Sequence, residues 1–298
     1  MLRRTTRRFP PRRLAICSLP NFNEIDPWLA CVGSSAIAAL LAFLCWKEVM
    51  DLLPELVFQG LHSRAVCINP DASKLIVRFD HWSSGKSGFG LLAPWRLTQD
   101  RQFAQLNVQV ARNDFYLNDD LTQLRQDLRR FTKRFTHIQA LGFSMGGFGA
   151  LLLSRALRLH HVVLVSPQRP GFPRQPPFST DLKVEQDMFR SGIDARLDGI
   201  RGCMRGVILY DPRVAEGRDM AYAKKIMEMA PKLKPLALPG AGHPATRLIA
   251  QAKLYGQFQS SLLERQKFIG KIRTLHQVAC HSLKRIENPA SEFPPDLV

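Results

Sequence analysis

The sequence predicts an α/β fold, a mostly parallel, doubly wound sheet with a minimal cap, and three observations carry that prediction. Apolar strand-like runs alternate with helical segments from residue 64 onward, the pattern that favours right-handed crossovers between parallel strands. One such run, Ile138-Gln139-Ala140-Leu141, passes through Gly142-Phe143-Ser144-Met145-Gly146-Gly147-Phe148-Gly149 straight into Ala150-Leu151-Leu152-Leu153. Two later runs end in an aspartate, Asp211, and in a Gly-rich turn with a histidine, His243. That arrangement brings chemistry to one sheet edge, where ligands bind in folds of this kind.

The chain divides into an extension over 1–49, a domain over 50–286 and a disordered tail over 287–298. Residues 1–27 carry Arg3, Arg4, Arg7, Arg8, Arg12 and Arg13 among prolines and read as disordered. Residues 28–46 contain no charge over 19 positions, with a tryptophan at each end. That length barely crosses a hydrocarbon core of about 30 Å, and the preceding arginines would keep the N-terminus in the cytoplasm. A buried helix, or a start at Met50, accounts for the run equally well, because the catalytic pattern needs nothing upstream of Met50. The expected location is cytoplasmic, with membrane anchoring through 28–46 as the alternative.

Within the domain, Ala65–Ile68 and Leu75–Phe79 flank Asn69-Pro70-Asp71-Ala72-Ser73 and read as a hairpin. The loop after it holds His81 and Trp82. The run Gln105–Val110 alternates as the next strand and is followed by Asn113, Asp114 and Tyr116. Those three are candidate substrate contacts, with an Asx-turn as the competing reading; Phe143, beside the serine, is a fourth candidate contact. Asp119 or Asp120 can cap the next helix, in which Leu121, Leu124, Leu128, Phe131 and Phe135 form the apolar stripe. After the strand His161–Ser166, the Pro-rich stretch from Pro167 opens a cap over about 167–200, with a short helix around 181–193. Glu216–Met229 and Thr246–Tyr255 read as helices, and a long amphipathic helix runs from about Gln257 to Ile286.

The chemistry rests on the order Ser144, Asp211, His243. A serine on a strained strand-to-helix turn presents its hydroxyl above the sheet, and glycines two residues to either side clear the space around it. His243 would take the serine proton and Asp211 would fix the imidazole tautomer. The backbone N–H of Met145, at a helix N-terminus, would face a developing oxyanion.

Through GFSMGGFG, LYDP and GAGH the chain resembles the α/β-hydrolase superfamily over roughly residues 64–256. The resemblance implies a serine hydrolase acting on an ester or thioester through an acyl-enzyme. It also implies a second oxyanion donor from the loop at His81 or Trp82, although no HGG-type run is present there. An acyltransferase on the same residues, or a non-catalytic binding module of this fold, are the alternatives. Less specifically, the elbow and Ser166-Pro167-Gln168 resemble bacterial hydrolase-like proteins of polysaccharide or glycoconjugate pathways.

The formal net charge of +17 over 298 residues reads first as a basic solvated surface and secondly as a match for an anionic membrane face, an anionic polymer or nucleic acid; the expected partner is a small-molecule or acylated substrate, for which an anionic group is one option. No RNP run or zinc-finger spacing accompanies it, so nucleic acid is not an expected partner. No cofactor and no metal are expected. Six cysteines without a C-x-x-C pair predict no disulfide.

Overall fold

The computed structural model describes residues 54–95, 102–168, 200–264 and 267–287. Eight strands, β1 (Glu55–Gln59), β2 (Ser63–Ile68), β3 (Lys74–Phe79), β4 (Ala104–Val110), β5 (His137–Phe143), β6 (His161–Val165), β7 (Arg205–Tyr210) and β8 (Leu233–Ala237), form one sheet. Their order is β1-β2-β4-β3-β5-β6-β7-β8. The β1–β2 and β2–β4 pairings are antiparallel. Every pairing from β4 through β8 is parallel.

The expected hairpin of β2 with β3 does not form. β4 inserts between them, antiparallel to β2 with Ala65 opposite Val108, and parallel to β3 with Val77 opposite Leu106. The reason lies in β4 itself. Its residues are buried along the whole strand, and a strand that must be covered on both faces belongs inside a sheet. The Asn69–Ser73 turn therefore spans the width of an intervening strand.

Alternate residues feed two cores. Leu75, Val77, Leu106 and Val108 face one side with α1 (Leu121–Phe131), α2 (Met145–Leu152) and α3 (Arg218–Met229), through Leu124, Leu128, Phe148, Leu151 and Ile226. Ile76, Leu141, Val163, Val207 and Leu209 face the other, under α4 (Arg247–Gln251), α5 (Tyr255–Ser261) and α6 (Phe268–Glu287), through Ile249, Phe258, Phe268 and Ile272. Two of the expected helices differ from their apolar patterns. Lys253 adopts φ 60° and closes α4, and the long C-terminal stretch is split into α5 and α6. The cap of α1 also differs from expectation. Asp120 is its N-cap but makes no side-chain capping bond; its carboxylate instead accepts His62 N (2.6 Å) and Ser63 N (2.8 Å), so it ties the helix to the β1–β2 turn.

On the second face, β2, β4 and β3 carry amides and guanidinia in place of apolar side chains. They hold residues Phe89 to Trp95 as a strap. Gln105 accepts Trp95 N (2.8 Å) and donates to Ala93 O (3.0 Å). Gln109 and Arg64 both donate to Gly90 O (3.0 Å each). Arg78 donates to Ala93 O and lies 4.4 Å from the Trp95 ring centroid. The buried amides of Gln105 and Gln109 thereby find partners in strap backbone and in Arg64, as buried polar groups require.

Among the described residues no helix is long and apolar enough to cross a membrane. The candidate span 28–46, the helix expected around 181–193 and the tail after 287 lie outside them.

Candidate active site

β5 delivers the chain to Ser144 at φ 49° and ψ −118°. That conformation costs a non-glycine residue on the order of 1–3 kcal/mol and persists only where its surroundings impose it. Here they do. Ser144 N donates to Val165 O (3.0 Å), while Ser144 O accepts Gly147 N (3.0 Å) and Gln168 N (3.1 Å). The flanking glycines are required by close approach. A Cβ on Gly142 would lie 2.5 Å from Gly146 O, and one on Gly146 would lie 2.8 Å from Asp80 O. The second contact shows that the chain leaving β3 passes directly over the start of α2. Met145, the first residue of α2, is fully buried.

His243 stands on the loop after β8, and that loop is pinned at several points. Leu238 N donates to Tyr210 O (2.8 Å), Ala245 N to Ser166 Oγ (3.0 Å) and Gly242 N to Asp211 Oδ2 (2.7 Å). The Pro239 carbonyl accepts from His276 Nε2 of α6 at 3.2 Å. Asp211 also accepts Arg213 N (2.9 Å), so both of its oxygens are bonded to backbone. The carboxylate beside the ring is a different one: His243 Nδ1 lies 3.5 Å from Asp219 Oδ2.

The structure thus departs from the expected pairing of Asp211 with His243. Asp211 is the clamp for the histidine loop, and Asp219, only 5% exposed in the first turn of α3, is the neighbour of the imidazole. At 3.5 Å this contact is longer than a formed hydrogen bond. In the sequence Asp211 is the more conspicuous of the two because it sits at a strand end. The available signal was a second aspartate within the first turn of the helix that follows the same strand.

Ser144 Oγ donates to Gln168 Oε1 at 3.0 Å. Among the described residues no hydrogen bond joins Ser144 to His243.

The other residues singled out from the sequence cluster around the loop after β3. His81 is exposed and Trp82 half-buried. Asn113 donates to Ser83 O (2.8 Å) and accepts Ser83 N (3.2 Å), so it grips this loop as a strand neighbour would. Tyr116, at φ 64°, donates its hydroxyl to Asp80 O at 3.0 Å and packs edge-on against Phe79. Asp114 accepts Tyr116 N (2.9 Å) and Asn118 Nδ2 (2.7 Å), an Asx-turn. Burial raises the Asp114 carboxyl above its ordinary value, opposed by those two hydrogen bonds; burial also raises the Tyr116 phenol. The polar groups of all three therefore have protein partners and shape the loop. Phe143, at the end of β5, packs on Phe258 of α5 with ring centroids 6.4 Å apart.

Sheet order, the crossing from antiparallel to parallel pairing and the strained serine turn after β5 make this the α/β-hydrolase fold. The chain matches solved structures at low sequence identity. The chain matches a structure from the Glycosylation Associate Protein (Gap123) complex of Streptococcus agalactiae with a TM-score of 0.50 and 12% identity, over 72% of this chain and 47% of that one. It spans, then, about half the length of that relative. It matches Est1E of Butyrivibrio proteoclasticus with a TM-score of 0.43 and 13% identity, over 69% of this chain and 98% of that one. A third match is the capsule O-acetyltransferase of Neisseria meningitidis serogroup A, with a TM-score of 0.47 and 14% identity, over 70% and 94% of the two chains. No protein-family model and no curated protein matches the chain.

Proposed function

We propose that this protein is a serine hydrolase that cleaves an ester or thioester through an acyl-enzyme on Ser144. The observation that carries the reading is the strained Ser144 turn on the same sheet edge as a histidine that faces a buried carboxylate. In this account Asp219 orients the His243 ring through Nδ1–H, which leaves the Nε2 lone pair to take the serine proton. Oγ then adds to the substrate carbonyl, and the alcohol or thiol departs with that proton. Water, activated by the same imidazole, adds to the acyl-enzyme and releases the acid. The Met145 N–H and an N–H from His81 or Trp82 stabilise the oxyanion, a contribution worth on the order of 10²–10³ in kcat for one donor. Asp211 acts on the geometry of the loop and not on the ring.

The substrate in this reading is an acylated molecule, with an anionic group favoured by the basic surface. The test is turnover of short chromogenic acyl esters by the full chain. A pre-steady-state burst of alcohol release is expected, and it should vanish in Ser144→Ala and in His243→Ala. Release that is accelerated by an added alcohol, with transfer of the acyl group to it, would move the reading to acyl transfer on the same residues. No turnover of any ester by a well-folded protein would reject catalysis in this form.

A further inference from the structure

Gln168 makes two separate contacts to one residue, the nucleophile. Its backbone N–H donates to Ser144 O at 3.1 Å, and its side-chain carbonyl accepts the Ser144 hydroxyl at 3.0 Å. The first contact fixes where the side chain starts. Gln168 follows Pro167 and Ser166, and Ser166 is itself anchored by donating its N–H to Leu209 O (2.8 Å) and by accepting Ala245 N (3.0 Å). The amide is therefore held against Oγ by the same lacing that holds the histidine loop.

An amide oxygen can accept a hydrogen bond but is far too weak a base to remove the proton. A serine whose proton points at Gln168 is consequently not a nucleophile, and no hydrogen bond joins it to His243. We infer that Gln168 is a resting-state latch: it parks the Ser144 hydroxyl on its side-chain carbonyl, and attack requires the hydroxyl to turn from that amide to His243. This inference rests on the serine-hydrolase reading above and adds to it a positioning residue that competes with the base. The competition has a definite sign. Loss of the acceptor should make the serine more reactive, whereas damage to the fold makes it less so.

The experiment is the second-order rate of labelling by a small fluorophosphonate, across a pH series, for the wild-type chain, Gln168→Met and Gln168→Glu, with Ser144→Ala as the blank. Gln168→Met keeps the length of the side chain and removes the carbonyl. It should label faster by a factor of a few to about ten, the size of one neutral hydrogen bond. Gln168→Glu resembles glutamine while protonated and becomes a stronger acceptor once ionised. Its labelling rate relative to wild type should fall as pH rises through the carboxyl titration. A Gln168→Met variant that labels at the wild-type rate or slower, or a Glu/wild-type ratio that is flat or rises with pH, overturns the latch while leaving the hydrolase reading intact. A wild-type chain that does not label at all contradicts the hydrolase reading, and the latch falls with it.

Discussion

Asp211 and Asp219 follow the same strand, and their carboxylates face different neighbours. Asp211 holds Gly242 N and Arg213 N, while Asp219 lies against the imidazole. Substitution separates the two. On the proposed mechanism Asp219→Asn removes the charge that would fix the His243 tautomer, and ester turnover should fall by a factor on the order of 10⁴, with the thermal midpoint little changed. Asp211→Ala leaves two backbone donors without their acceptor at a site only 2% exposed, at about 1–3 kcal/mol for each. It should shift urea unfolding to lower concentration while the refolded enzyme keeps measurable turnover. The opposite result, a silent Asp219→Asn and an inactive but stable Asp211→Asn, would return the catalytic role to Asp211. The serine turn was legible because a nucleophile elbow is a local pattern. Which of two nearby aspartates lies beside the His243 ring was not, because that depends on where α3 places Asp219 in space, and no short-range pattern encodes it.

Among the elements, the elbow and the end of β3 form one construction. Gly146 lets Asp80 O pass across the start of α2, Tyr116 holds that same carbonyl by hydrogen bond, and Asn113 fixes the loop further on through Ser83. A methyl group at Gly146 would lie 2.8 Å from Asp80 O and 3.0 Å from Phe79 Cβ. Gly146→Ala should therefore destabilise by about 1–3 kcal/mol through overpacking. Because the strain falls on the loop assigned to the second oxyanion donor, turnover should fall more than the shift in unfolding accounts for. Thermal unfolding and ester kinetics on the same preparation check both, and an unchanged rate would separate this loop from the oxyanion. The elements themselves were largely readable: the strand runs at 65–68, 75–79, 105–110, 138–141, 161–165 and 207–210 all lie in strands. Their neighbours were not, since the alternation of β4 says that it is a strand but not that it divides β2 from β3. The strap that Gln105 and Gln109 bind explains the burial of their amides.

For the molecule as a whole, stability is tied to pH through the buried loop clamp. Asp114 has its carboxyl raised by burial, partly offset by Asn118 and the Tyr116 N–H. A carboxyl with a folded pKa above its unfolded value holds its proton more tightly in the native state. Its contribution therefore favours folding at low pH and is lost as pH climbs from the unfolded value, about 3.9, through the folded one. Asp114→Asn abolishes that titration, so the difference in melting temperature between variant and wild type should move in the variant's favour as pH rises across this window. Parallel curves would contradict the burial of an ionisable group there.

The sheet brings the ends of β5, β7 and β8 to one edge, and the account holds that a single serine on that edge is activated. The most direct measurement is peptide mass spectrometry of the fluorophosphonate-treated chain. The account predicts one adduct, on the peptide containing Ser144, lost in Ser144→Ala and in His243→Ala and strongly slowed in Asp219→Asn. An adduct on any other serine, or labelling that persists when His243 is replaced, would contradict it.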